Sequence, residues 1–84
     1  MTVSFGETGW EDYTYWQATD RRMLERINTL IRDAARSPFE GIGKPEPLRN
    51  EWSGYWSRRI DREHRLIYRA EGEVLFIAQC RFHY

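Results

Sequence analysis

Between Asp20 and Ser37 the chain carries its clearest periodic signal. Met23, Ile27, Leu30, Ile31 and Ala34 fall on one face of a helix, while Arg22, Arg26, Arg32 and Asp33 point elsewhere. An apolar stripe of this kind must be buried against a second layer. Thr19 or Asp20 offers the N-cap, and Ser37-Pro38 ends the helix because the residue before a proline is pushed out of the helical region. Upstream, Thr2-Val3-Ser4-Phe5 alternates as a short strand, Gly6 breaks it, and Trp10, Tyr13 and Gln17 at helical spacing predict a first helix over residues 8–17.

Downstream of the helices the period changes from helical to alternating. Strands are expected over residues 55–60, 64–70 and 74–81, with turns at Asp61-Arg62-Glu63 and Glu71-Gly72-Glu73. Leu48–Trp52 adds a further short strand before Gly54. The order is a strand, two helices and an antiparallel meander. This predicts an α+β fold in which two N-terminal helices pack on one face of an antiparallel β-sheet and leave the other face free. The 84 residues make one domain, 1–84, with no repeat or linker. Residues 37–47 hold all three prolines and two glycines, a restrained loop long enough to invite a functional explanation.

A chain this short buries a modest fraction of its surface, so a partner or self-association is expected to add stability. Four Trp, five Tyr and four Phe offset part of the shortfall, because each buries a large area. The 13 basic and 13 acidic residues cancel overall but are unevenly placed. Residues 1–20 are acidic only, whereas Lys44, Arg49, Arg58, Arg59, Arg62, Arg65 and Arg69 outnumber the acids over 44–69. An anionic partner is therefore expected on the second half, and the dominance of Arg over Lys suits phosphate. Composition alone also allows a merely solvated Arg-rich face.

Cys80, the only cysteine, excludes an internal disulfide and sits in an apolar run, where an inert core thiol is expected. The first ten residues lack the basic-then-apolar order of a signal peptide, and the longest apolar run, Val74–Ala78, is too short to cross a bilayer. The expected location is the cytoplasm, without membrane contact.

Cleavage of RNA by its own 2′-hydroxyl needs a base, a cation for the charge that builds on phosphorus, and an acid for the departing 5′-oxygen. Candidates exist for each. Glu46 lies between Pro45 and Pro47, which fix the backbone and aim the carboxylate. Arg65 and Arg69 share a strand face with Ile67, while His64, Leu66 and Tyr68 take the other, and Glu63 stands near enough to pair with Arg65. His83 is of the residue type whose intrinsic pKa suits proton transfer near neutrality, and its neighbours Phe82 and Tyr84 favour a docked tail in which Tyr84 stacks on a base. Taken singly, a loop carboxylate and a terminal His are more often plain surface residues. No zinc-ligand spacing, phosphate loop or nucleophile elbow is present, so neither a metal nor another cofactor is expected.

Several segments together resemble the YoeB family of bacterial toxins: Trp-Glu-Asp-Tyr at 10–13, Pro-Phe-Glu-Gly at 38–41 and Gly-Lys-Pro-Glu-Pro-Leu at 43–48. They continue as Trp-Ser-Arg-Arg-Ile at 56–60, Glu-His-Arg-Leu at 63–66 and the terminal His83-Tyr84. The resemblance covers essentially the whole chain. It implies a RelE-like fold and a type II toxin that enters the ribosomal A site and cuts the mRNA codon there. It implies Glu46 as general base, His83 as general acid and Arg65 as stabiliser of the transition-state phosphate. Tyr84, Arg59 and Arg49 would contact the substrate and Glu63 would support the site. Position 49 is usually Lys in the family and is Arg here, which keeps the charge and changes the contact geometry. The resemblance also implies a YefM-like antitoxin, operator DNA bound only through the antitoxin complex, and a homodimer.

Three other readings share the residues. A ParE-like gyrase inhibitor would need no acid–base pair, an interaction domain would survive loss of Glu46 and His83, and a free ribonuclease would need no ribosome.

Overall fold

The computed structural model describes residues 1–82. Five strands and two helices follow the expected order: β1 Thr2–Phe5, α1 Glu7–Thr19, α2 Arg21–Arg36, β2 Glu46–Pro47, β3 Trp56–Arg59, β4 Arg65–Glu71 and β5 Val74–Gln79. Asp20 is the cap of α2, its side chain accepting from the Met23 amide at 3.1 Å. Of the predicted stripe, Ile27, Leu30, Ile31 and Ala34 are buried, and Met23 packs against the core they form with Leu66, Tyr68, Leu75 and Ile77.

The sheet runs β1-β5-β4-β3-β2. The three C-terminal strands and β2 pair antiparallel as expected, but β1 joins the far edge parallel to β5, with Thr2 opposite Val74 and Phe5 opposite Ile77. The sheet is therefore mixed. The alternation of a four-residue segment reveals a strand and carries no information about a partner this distant in sequence.

Two local expectations need correction. The strand expected over 48–52 lies instead at Glu46–Pro47, and Asn50–Trp52 form a 3₁₀ turn that opens with Asn50 at φ 58°. A left-handed residue cannot continue an extended strand. In α1 the buried face is Gly9 and Trp16 with Asp12 and Tyr13 partly covered, whereas Trp10 and Gln17 are exposed. The reason is a close approach to β5: a Cβ on Gly9 would stand 2.3 Å from the Ile77 carbonyl oxygen, so only glycine lets the helix lie this near. From that position the Trp16 indole donates to the Cys80 carbonyl at 2.9 Å, and the Asp12 carboxylate accepts from the Cys80 amide at 3.0 Å.

β2 is an edge. Pro45 and Pro47 have no amide proton to offer a further strand, which blunts that edge against pairing with another chain.

Candidate active site

The loop that carries Glu46 is held from beneath by one side chain. In β3 the alternation places Trp56, Arg58 and Ile60 toward the helices, so Arg58 enters the core and is fully buried. All five guanidinium N–H groups have acceptors there. Nε donates to the Tyr68 hydroxyl (3.0 Å), Nη1 to Asp33 (2.6 Å) and the Ile42 carbonyl (3.1 Å), and Nη2 to the carbonyls of Ser37 (2.7 Å) and Glu40 (2.9 Å). The Tyr68 hydroxyl passes the network on to the Pro38 carbonyl. Asp33 also accepts from the Ile42 amide at 3.0 Å, and these bonds, the one from Arg58 foremost, hold its carboxyl below the ordinary value. Burial pushes the Tyr68 hydroxyl up, against the pull of Arg58. The carbonyls of Ser37, Glu40 and Ile42 are thus tied to one cation, and that of Pro38 to it through Tyr68.

The chain then turns through Gly43 (φ 80°) and Lys44 (φ 53°), and the Gly43 carbonyl accepts from the Arg59 amide at 2.7 Å. This delivers Glu46 to the sheet edge opposite Ser57. The register continues Glu46–Ser57–Ile67–Gln79 across four strands, and the next row carries Arg59 opposite Arg65. Both rows lie on the face away from the helices, because Arg58, Leu66 and Tyr68, which alternate with them, face the core. Ordinary strand spacing and rise put the Cα atoms of Glu46 and Arg65 roughly 12 Å apart. A Glu and an Arg side chain reaching inward across that span leave room for a phosphate between them. Ser57 and Ile67 are buried and form the floor.

Arg65 is half-buried at the centre of this face, and its Nη1 is buried without a hydrogen-bond partner among the described residues. An orphaned cationic donor in a folded protein calls for an acceptor from outside. Arg69, its neighbour on the strand face, likewise has a buried Nε without a hydrogen-bond partner among the described residues, but its guanidinium is otherwise engaged. It stacks on the Tyr55 and Phe76 rings at 5.1 and 5.5 Å, donates to the Tyr55 hydroxyl at 3.3 Å and approaches Glu71 at 3.7 Å. Arg59 is exposed, and Arg49 lines an open groove of about 820 Å³ together with Glu46 and the 3₁₀ turn.

Glu63 does not pair with Arg65. The turn is organised by the Asp61 carboxylate, which accepts from the Glu63 and His64 amides at 2.8 Å each and leaves the Glu63 side chain in solvent, 3.8 Å from His64 Nε2. His83 and Tyr84 lie outside the described residues. The chain leading to them is fixed: the Phe82 carbonyl accepts from the Arg65 amide at 3.0 Å, and the Phe82 amide donates to His64 Nδ1 at 2.7 Å. Cys80 is buried, and desolvation with the Asp12 charge pushes its thiol up to about 12, which rules it out as a nucleophile at neutral pH. Among the described residues no three His, Cys, Asp or Glu side chains gather as a metal site requires, and no helix is long and apolar enough to cross a membrane.

Residues 5–84 match the family model described as the YoeB-like toxin of bacterial type II toxin–antitoxin systems. The chain belongs to the YoeB-like toxin family. Toxin YoeB of Escherichia coli K12 is 55% identical over 84 residues, the whole of both chains. A YoeB/ParE toxin structure from Agrobacterium tumefaciens superimposes with a TM-score of 0.97 at 55% identity, covering both chains in full. Two Staphylococcus aureus structures, a heterotetrameric YoeB–YefM toxin–antitoxin complex and a YoeB dimer, each give a TM-score of 0.92 at 42% identity over 100% of this chain and 98% of theirs.

In this YoeB-like chain the fold brings Glu46, Arg59 and Arg65 to one face and Arg49 to the groove beside Glu46, and leaves Glu63 in a solvated turn. Two organising residues escaped the sequence reading. Arg58 was counted with the anion-binding arginines, although its phase with Trp56 and Ile60 signals an inward position. His64 looked like an ordinary strand residue, and nothing local in sequence reveals that it meets Phe82.

Proposed function

We propose that this chain is a ribosome-dependent mRNA endonuclease that cuts in the A-site codon and so arrests translation. The observation that carries the reading is Arg65. Its buried Nη1 lacks an acceptor among the described residues and shares a sheet face with Glu46 and Arg59, while the backbone running toward His83 is bound to the Arg65 amide. In the reaction Glu46 takes the proton of the 2′-hydroxyl, whose oxygen attacks the adjacent phosphorus. Arg65 stabilises the charge on the non-bridging oxygens. His83 gives a proton to the 5′-oxygen as its bond to phosphorus breaks. The products are a 2′,3′-cyclic phosphate and a 5′-hydroxyl, and no cofactor enters the scheme. Arg59, Arg49 and Tyr84 bind the RNA, and Glu63 adds a peripheral support near His64.

The ribosome supplies alignment: it holds the codon so that base and acid flank one phosphate, which a mobile free RNA does not do. A YefM-like antitoxin neutralises the toxin, a partner that the S. aureus complex supports, and the pair reaches operator DNA through the antitoxin. The S. aureus dimer likewise supports a homodimer here. The site of action is the cytoplasm.

Primer extension on mRNA in a purified ribosome complex tests the reading, with wild type, Glu46→Gln and His83→Ala in parallel. A cut in the A-site codon with wild type alone, and only when ribosomes are present, is the expected result. Efficient cutting of naked RNA would make it a free ribonuclease. No cut at all would move the assignment to gyrase inhibition or binding.

A further inference from the structure

We infer that His64 is a positioning residue for the cleavage proposed above, on which this inference rests: its Nδ1 holds the Phe82 amide and so sets the course of the chain into His83. Phe82 adopts φ 64°, a conformation that a bulky L-residue rarely keeps unless its surroundings impose it. Burial of the side chain is not what imposes it, since the residue is 53% exposed with its ring resting against His64 and Arg81 at the surface. The backbone is held instead. Its amide donates to His64 Nδ1 at 2.7 Å, and its carbonyl accepts from the Arg65 amide at 3.0 Å. Two consecutive residues at the entry to β4 thus bind both polar groups of one tail residue, and the second of them is the proposed phosphate-stabilising arginine.

The anchor is itself rigid. His64 is buried, the Trp16 ring stands edge-on to it at 5.0 Å, its amide donates to the Asp61 carboxylate, and its carbonyl accepts from the Ile60 amide at 3.0 Å. An Nδ1 that accepts carries no proton, so in this contact the ring hydrogen sits on Nε2. Upstream, α1 treats Cys80 in the same manner through Trp16 and Asp12. Arg81 between them lies over the Tyr15 ring, 3.5 Å from its centre. The tail is therefore directed through its backbone at residues 80 and 82. That kind of hold serves orientation, because it fixes where the next residue starts without demanding a particular side chain at 82.

Asparagine and phenylalanine separate orientation from packing. The Asn Oδ1 hangs from Cγ as the His Nδ1 does and can accept the same amide, but the ring is gone. Phenylalanine keeps the ring against Trp16 and removes the acceptor. In the ribosome assay, His64→Phe should lower the single-turnover rate at saturating ribosomes by about 10–100-fold with half-saturation changed by less than about twofold, as expected for a misplaced acid. His64→Asn should recover most of the rate despite melting at a lower temperature than His64→Phe. Exchange of the Phe82 amide, read by nitrogen-15 NMR on each protein, should be slow in wild type and His64→Asn and fast in His64→Phe.

The inference is overturned if His64→Phe cuts at the wild-type rate, if the two variants rank in activity as they do in melting temperature, or if the Phe82 amide stays protected in His64→Phe. Wild-type protein that cuts nothing overturns the nuclease reading, and with it any part for His64 in cleavage. The amide exchange is read without ribosomes, so it still shows whether His64 holds the tail and keeps the two failures distinct.

Discussion

Arg58 and Asp33 meet at 2.6 Å beneath the loop that carries the proposed base, one from the third strand and one from the second helix. The pair does not work alone: the same guanidinium reaches three loop carbonyls and a tyrosine hydroxyl. Removing it strands those acceptors in a buried place. Arg58→Leu is therefore expected to destabilise the fold by roughly 3 kcal/mol in urea unfolding. Arg58→Lys should recover little of that, because an ammonium has three donors and no planar fork. A lysine variant of wild-type stability would show that charge, and not geometry, organises the loop.

The same carboxylate gives the pH dependence a sign. Asp33 is held below its ordinary value of 3.8, foremost by the hydrogen bond from Arg58. The folded state therefore binds this proton more weakly than the unfolded chain does, so the stabilisation is complete well above pH 3.8 and drains away as pH falls below it. Asp12 runs the other way, since burial raises its value, so its contribution weakens as pH climbs out of the acid range. Urea midpoints collected from pH 7 to pH 3 should fall less steeply for Asp33→Asn than for wild type. An equally steep fall would assign acid sensitivity to other carboxylates.

Arg65 separates activity from stability. Its buried Nη1 has no partner among the described residues, so keeping the charge there costs the apo protein something. Arg65→Met should leave the urea midpoint unchanged or raise it, while the cleavage rate in the ribosome complex drops by about 10²–10³-fold. A strongly destabilised Arg65→Met would mean that the arginine is structural in the manner of Arg58.

Gly9 tests the helix–sheet contact. An alanine there places its methyl carbon 2.3 Å from the Ile77 carbonyl oxygen, and neither backbone can yield without displacing the Trp16 and Asp12 bonds to Cys80. The expected cost is about 1–3 kcal/mol of stability, although alanine is the better helix former. Asp20→Ala is the milder comparison at about 1 kcal/mol, the worth of one cap. A Gly9→Ala protein as stable as wild type would refute the close approach.

Much of this architecture was readable beforehand where a signal is local. The stripe from Ile27 to Ala34, the stop at Ser37-Pro38 and the alternation of Arg65 with Leu66 each announce themselves within a few residues. What stayed hidden depends on distant partners. Trp10 and Gln17 fit a helical period, yet the face that is buried is chosen by Gly9, whose absence of a side chain leaves no apolar mark. The edge strand fell two residues earlier than expected because Asn50 takes a left-handed turn that no apolar pattern reports. Glu46 and Arg65 were singled out by chemistry and resemblance, and the register then put them on one face. Glu63 was expected to reach Arg65, and the capping action of Asp61 turned it outward.

The pairing of Thr2–Phe5 with Val74–Ile77 has a consequence for the order of events during synthesis. β1 waits without its partner while both helices and three further strands are made after it. Native-like closure of the sheet needs the last strand, and contacts so distant in sequence form slowly even then. The Phe82 contacts with His64 and Arg65 depend on residues made later still, after β5. The face that carries Arg65 is therefore completed only once β5 has been made and has paired with both β4 and β1.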